Sequence, residues 1–217
     1  MDDSIRESFM LLGEELKVPL ISILQQVELG HASVDVESYA SQALRTIESL
    51  LLYQRVNSGQ LSLNLEPVHV GSTMQSVANT MHPFMRTAGC TVRLDIQHGL
   101  RPVTADRRVL EAALLSLWQG FVTTVDEGSE VVCQARRTRG GIRVSLLSQT
   151  STLDAVHFSQ LNMRSSQPII HAEGTSLDLV TAQKMFGMLG GSLGKSHSNT
   201  GYGVGATLPL SHQLQMI

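Results

Sequence analysis

The first fifty-eight residues carry two consecutive helical stripes that are too wide to bury each other. In the first, Phe9, Leu12, Leu16, Leu20, Ile23 and Val27 fall at helical spacing, which predicts a helix over residues 3–30 ending at Gly30. In the second, Val36, Ala40, Ala43, Ile47, Leu50 and Gln54 predict a helix over 35–57 that stops at Asn57-Ser58-Gly59. His31-Ala32-Ser33-Val34 is the turn between them, and His31 reads as a turn residue. Leu24, Leu44 and Leu51 widen the apolar face beyond what one partner helix covers. Two solutions exist. Two such hairpins pair into a four-helix bundle, which makes a homodimer through residues 1–58 the expectation, or the hairpin packs on the rest of its own chain. Pro19 sits inside the first stripe and cannot donate to the carbonyl of Glu15, so the helix should bend there, beside the paired carboxylates Glu14 and Glu15.

After Gly59 the texture changes, which sets the domains at 1–58 and 59–217. Gln60–Leu65 alternates with period two and predicts a short strand. A helix is expected over Val70–Ala88, with Val77, Met81, Phe84 and Met85 on one side. Strands are expected at Thr91–Gln97 and Val103–Thr104, then a helix opened by Asp106 and running through Val122. Glu130–Thr138 and Gly141–Ser148 read as a hairpin around Arg139-Gly140-Gly141. A short helix over Asp154–Leu161 and another over Leu177–Leu189, ended by Gly190-Gly191, precede a closing hairpin, Ser192–Ser196 and Val204–Leu210. Helices and mostly antiparallel strands mixed in this way predict an α+β sandwich behind the helical hairpin.

Composition narrows the functional classes. Of 217 residues, 42% are hydrophobic and 16% charged, as in a folded soluble protein. With 4% aromatics, aliphatic side chains and Met must fill the core, and Met185, Phe186 and Met188 are read as part of it. A net charge of −3 argues against nucleic acid as the main partner. No apolar run approaches the ~20 residues needed to span a bilayer, and the acidic start Met-Asp-Asp-Ser is unlike a signal peptide, so a cytoplasmic location is expected. Cys90 and Cys133 lie in alternating stretches and are read as reduced core thiols. None of the eight histidines has metal-ligand spacing, so no metal site is expected. Arg136, Arg137, Arg139 and Arg143 form a basic hairpin, either a solvated one or a contact for an acidic partner.

Particular segments resemble the sensor histidine kinases. Gly13–Leu20, G-E-E-L-K-V-P-L, is similar to the turn that carries their phosphoacceptor histidine, S-H-E-L-R-T-P-L. Ser58–Val70 resembles the link between their domains, and Ala105–Phe121 the helix bearing their Asn box. Gly174–Val180 resembles their second Gly-rich box, and the segments from Gly190 and Gly205 resemble their last strands. The resemblance implies a dimeric phosphoacceptor-like hairpin followed by an ATPase-like sandwich of the GHKL type, shared with gyrase.

Carried over residue by residue, the same resemblance implies that the chemistry is missing. The phosphoacceptor position is Glu14, a weaker nucleophile than imidazole, followed by Glu15. The position that would hold water for dephosphorylating a partner is Val18. In the Asn box, Ser116 and Gly120 stand at the two asparagine positions, with Trp118 adding bulk beside them. Ser148 replaces the aspartate that would accept from the adenine amino group, and Thr150 and Thr152 replace glycines. The second Gly-rich box keeps Gly174 but has Ser176 and Asp178 where glycines are wanted, and Asp178 would set a negative charge beside a phosphate cradle. Mg-ATP is therefore not expected as a cofactor. Gly201 and Gly203 are read as a turn before the last strand.

The expected function is a catalytically inactive, histidine kinase-like signalling protein. Its partner would be a response-regulator receiver domain or another kinase in a two-component pathway. The expected docking face lies around Glu14, Lys17, Leu20 and Ile21. The alternatives are a dimeric histidine phosphotransferase-like relay enzyme, or a kinase that retains ATP binding. The relay requires a histidine on the first helix, and none lies between Asp2 and Gly30.

Overall fold

The structure is a computed structural model, and it describes residues 20, 21, 23, 34–58, 62–151 and 177–211. Helix α1 spans Val34–Asn57, β1 Glu66–Val68, α2 Val70–Thr87, β2 Thr91–Ile96, β3 Val103–Ala105 and α3 Arg107–Val122. Strands β4, Glu130–Thr138, and β5, Gly141–Ser148, follow; then come α4, Leu177–Met188, β6, Ser192–Ser198, and β7, Gly201–Leu208. Five strands form one sheet in the order β2-β4-β5-β7-β6, while β1 pairs antiparallel with β3 in a small second sheet. Only β2 and β4 run parallel within the large sheet, joined by a crossover through α3. An α+β sandwich is what this amounts to, as the pattern of elements implied.

Period-two alternation explains the sheet's two faces. On one face, Val131, Cys133 and Ala135 of β4, Val144 and Leu146 of β5, and Val204 and Ala206 of β7 enter the hydrophobic core. Val70, Met74, Val77, Met81, Phe84 and Met85 of α2 meet them, with Leu110, Leu117 and Phe121 of α3 and Met185 and Phe186 of α4. Both cysteines are buried and free. Gln134 and Arg136, Arg143 and Ser145, and Gly205 and Thr207 fall on the opposite face by the registered pairs Gln134↔Ser145, Arg136↔Arg143, Ser145↔Gly205 and Arg143↔Thr207.

Helix α3 is started by Asp106, whose carboxylate accepts from the backbone N–H of Arg108 at 3.0 Å and of Val109 at 3.4 Å. The same buried carboxylate accepts from the Asn64 N–H at 2.9 Å and from the Arg108 guanidinium at 3.0 Å. This contact explains one departure from the sequence reading. Residues 62–65 form no strand; the chain there is pinned by its backbone to the cap of α3, and pairing begins only at Glu66. A second departure is at Gly201 and Gly203, which belong to β7, while the turn is Asn199-Thr200. A Cβ at Gly203 would lie 2.0 Å from the Leu146 carbonyl oxygen and 2.9 Å from the Phe121 ring, so glycine permits β7 to close on β5.

Leu20, Ile21 and Ile23 are helical, and the remainder of the expected first helix lies outside the described residues, as does the expected helix over 154–161. Helix α1 does what the second of the two packing solutions requires: it lies against α2, α3 and α4 of its own chain. Ala43 and Thr46 are buried there, and Leu52 packs on the core. Ala40, expected on the apolar face, is exposed. Leu44 and Leu51, two turns apart, are 54% and 49% exposed, so the packing on its own sandwich leaves a second apolar strip uncovered.

Candidate functional site

Four of the positions singled out by sequence lie on α3, α4 and the end of β5: Ser116 and Gly120, Asp178, and Ser148. Ser116 and Gly120 lie on the same side of α3, four residues apart, and that side faces α4. Both are buried, Ser116 completely. A Cβ added to Gly120 would come 2.6 Å from Leu179 Cγ and 3.0 Å from the Leu179 backbone nitrogen. Leu179 belongs to the first turn of α4 and is itself 2% exposed. The space that an asparagine side chain at position 120 would need is thus filled by α4. Ser116 Oγ has no hydrogen-bond partner among the described residues, a buried orphan that costs about 1–3 kcal/mol.

Trp118 does not crowd these two positions. It is buried toward the sheet, where its indole N–H bonds to the thiol of Cys133. Burial pushes that thiol far above its ordinary pKa, and the indole only partly offsets the shift, so Cys133 is a neutral core group.

Ser148 ends β5 and is buried. Its hydroxyl lies 3.3 Å from Thr150 Oγ1 and accepts from the Thr150 N–H at 3.4 Å. Thr150 Oγ1 in turn meets Ser129 Oγ, which donates to the Asp126 carbonyl. Hydroxyls therefore tie the end of β5 to the start of β4. The Ser148 hydroxyl is engaged in this chain.

Asp178 occupies the first turn of α4, where a carboxylate is favoured by the helix dipole. It is 5% exposed and accepts from Thr46 Oγ1 of α1 at 3.4 Å. The sequence reading set this charge beside a phosphate cradle. The structure turns it to α1, so that this helix is bonded to the sandwich across 132 residues of sequence. Thr46 and Leu179 are the two residues that sequence reasoning missed. A threonine at a buried register of α1 and a glycine facing a leucine five residues past Gly174 were the available signals, and neither has a pattern of its own.

Thr152, Gly174 and Ser176 lie outside the described residues, as do Glu14, Glu15, Lys17 and Val18. Leu20 and Ile21 are described and half exposed, at 50% and 49%. No cluster of three metal-ligating side chains occurs among the described residues, and no described helix is long and apolar enough to cross a membrane.

No family model matches the chain. It is 22% identical over 144 residues to the sensor protein DivL of Caulobacter vibrioides, a match over 61% of this chain and 19% of that protein. The histidine kinase AdeS of Acinetobacter baumannii superposes with a TM-score of 0.59 at 16% identity, covering 96% of this chain and 98% of that one. Full-length ShkA in complex with AMPPNP gives a TM-score of 0.60 at 17% identity over 95% of this chain and 46% of that one. The histidine kinase ThkA, in complex with the response regulator TrrA, gives 0.60 at 13% identity over 97% and 65%. The chain thus has the fold of a histidine kinase catalytic domain.

Proposed function

We propose that this chain is a catalytically inactive histidine kinase-like signalling protein, which binds a response-regulator receiver domain or another kinase and does not transfer phosphate. The observation that carries the reading is Leu179 packed against Gly120. A metal-holding side chain at 120 has no room, Ser116 is a poor metal ligand, and Asp178 is committed to Thr46. These residues do not fit a Mg-nucleotide. The loss extends over α3, α4 and the end of β5, which favours a scaffold role over a single tolerated substitution. Binding of a receiver is supported by the ThkA–TrrA complex, in which a protein of this fold holds a response regulator.

The half-exposed Leu44 and Leu51, with Leu20 and Ile21, supply the apolar surface that a homodimer through residues 1–58 would cover. Replacing Leu44 and Leu51 together by Lys should convert a dimer to a monomer in sedimentation. Thermal stability of the sandwich should not change, because neither side chain packs on it. Titration calorimetry against the receiver domains of the source organism tests the partner: saturable binding to one of them is expected, and binding to none ends the proposal. A second reading, retained nucleotide binding, is favoured only by the orphaned Ser116 hydroxyl. A thermal shift on adding Mg-ATP would establish it; the absence of a shift is the result expected.

A further inference from the structure

The face of the large sheet away from the helices holds a shallow depression of about 590 Å³, lined by Gln134, Arg136, Arg143, Ser145, Lys195 and Ser196 among others. Arg143 is its centre. Its registered neighbours are Arg136 on β4 and Thr207 on β7. Like charges directly opposite on neighbouring strands repel. For Arg136 the repulsion is offset, because its guanidinium is ion-paired with Asp95 and donates to the Asp95 carbonyl at 3.0 Å.

Arg143 has no such offset. Its Nε donates to Ser196 Oγ at 3.4 Å, one terminal nitrogen to Thr207 Oγ1 at 3.1 Å, and the other to the Lys195 carbonyl. All three acceptors are neutral, and among the described residues no carboxylate pairs with it. They fix the guanidinium in place and leave its charge unmatched. Burial holds its pKa below the ordinary arginine value, the sign of a cation kept partly from water.

The floor of the depression is shaped around that side chain. Gly205 sits between Ser145 and Gly194 in the strand register. A Cβ at 205 would lie 2.5 Å from Ser145 Oγ and 3.2 Å from Arg143 Nε, so glycine there keeps the lane in which the arginine lies. At Gly194 nothing comes within 4 Å of an added Cβ, so the space above is open. Ser145 Oγ and Ser196 Oγ stand 2.8 Å apart beside the guanidinium.

We infer that this depression is a binding site for a phosphoryl dianion, held by the Arg143 guanidinium and the Ser145 and Ser196 hydroxyls, with Arg136 at its rim. A guanidinium presents five N–H donors, and three are used within the sheet, which leaves one N–H on each terminal nitrogen for oxygen. A phosphoryl group offers three acceptor oxygens to these two N–H groups and to the one hydroxyl proton that the Ser145–Ser196 hydrogen bond leaves free, and its charge matches the unpaired cation. A carboxylate, with two oxygens, would leave part of the set unused. The site is on the opposite side of the sheet from α3 and α4, and stands or falls independently of nucleotide binding there.

The test is a two-dimensional NMR titration of the whole chain with sodium phosphate, phenyl phosphate and sodium acetate at matched ionic strength. Phosphate should give saturable shifts at the Arg143 Nε–H and at the backbone amides of Ser145 and Ser196. Arg143→Gln should weaken binding about tenfold or more, the loss of one charge-assisted contact. Gly194→Glu, built into open space, should do the same by setting a carboxylate over Arg143 while the spectrum stays that of the folded protein. Equal affinity for phenyl phosphate would identify the ligand as a phosphorylated group on a larger molecule; affinity for phosphate alone would identify the free ion. Absence of a saturable shift at these residues, acetate binding as tight as phosphate, or binding unchanged in both variants overturns the inference.

Discussion

On the helix side of the sheet, the space between α3 and α4 is filled with carbon: Leu179 abuts Gly120, and Ser116 is fully buried. On the outer side, the floor at Gly194 and Gly205 carries no side chain, and Arg143 lies across it without a counter-charge among the described residues. The same β5 strand serves both, with Leu146 turned to the helices and Arg143 and Ser145 turned away. A buried charge in this protein is well matched where it shapes the fold and unmatched where it faces open space. Asp106 is the counterexample to Arg143: it is equally structural, yet five N–H donors from Asn64, Arg108 and Val109 surround it. On the helix side the buried carboxylate Asp178 is bonded to Thr46, whereas the cation of the outer face is held only by neutral acceptors.

The sharpest way to break this contrast is at Leu179. Leu179→Ala should cost about 2–5 kcal/mol in urea unfolding, the loss of a core leucine plus the cavity left behind. Gly120→Asn alone should cost about 1–3 kcal/mol through overpacking. Together they should cost less than their sum by about 1 kcal/mol or more, since the cavity admits the new side chain. Additive effects would mean that Leu179 does not occupy the space at 120, and the helix side would no longer differ from an open site.

How much of this was legible in the sequence depends on what each element answers to. Helix α2, strand β2, helix α3 and the β4–β5 hairpin follow from local signals: an apolar stripe, alternation, the Asp106 cap, and the glycines after Arg139. Gln60–Leu65 misled because alternation records a half-buried face without naming its cause; Leu65 is in fact 53% exposed, and the segment is fixed by the Asn64 N–H instead. Gly201 and Gly203 misled for the opposite reason, because glycine marks close backbone approach inside a strand as well as a turn. Positions 116, 120 and 148 were singled out by resemblance. The contacts that Leu179 and Thr46 make with Gly120 and Asp178 were not legible, since both act across long sequence separations.

Asp106 tests the matched side. Asp106→Ala should destabilise by about 2 kcal/mol, the loss of a helix cap and of a buried acceptor. Burial raises the pKa of this carboxyl, but hydrogen bonds from Arg108, Asn64 and Val109 outweigh it and the net shift is downward. A depressed folded-state pKa stabilises the fold in full above the unfolded value near ~3.9, and that stabilisation is lost as pH falls through the folded value. The gap in stability between the parent and Asp106→Asn should therefore narrow as pH is lowered from about 5 to about 2. A gap that stays constant would mean that the donors do not favour the ionised form.

Thr46→Val comes next, at about 1 kcal/mol, below the ~1.5–3 kcal/mol of a hydrogen bond to a charged acceptor because this one is long, 3.4 Å. Its more telling readout is hydrogen exchange. Protection in α1 should fall relative to α3, because the bond to Asp178 joins the helix to the sandwich. Equal loss in both helices would mean that α1 and the sandwich open as one unit.

The smallest effect on stability is expected on the outer face. Asp95 has its pKa lowered, first by the hydrogen bond from Arg136 and less by the Arg136 charge, yet Arg136 is 41% exposed and the pair is screened by water. Asp95→Asn should cost under about 1 kcal/mol, and less still at high salt. The same substitution removes the one carboxylate that offsets Arg136, so phosphate affinity at Arg143 should rise while the fold barely responds. A large loss of stability with unchanged anion affinity would reverse the contrast, making Asp95 a structural charge and the outer face as internally matched as the cap of α3.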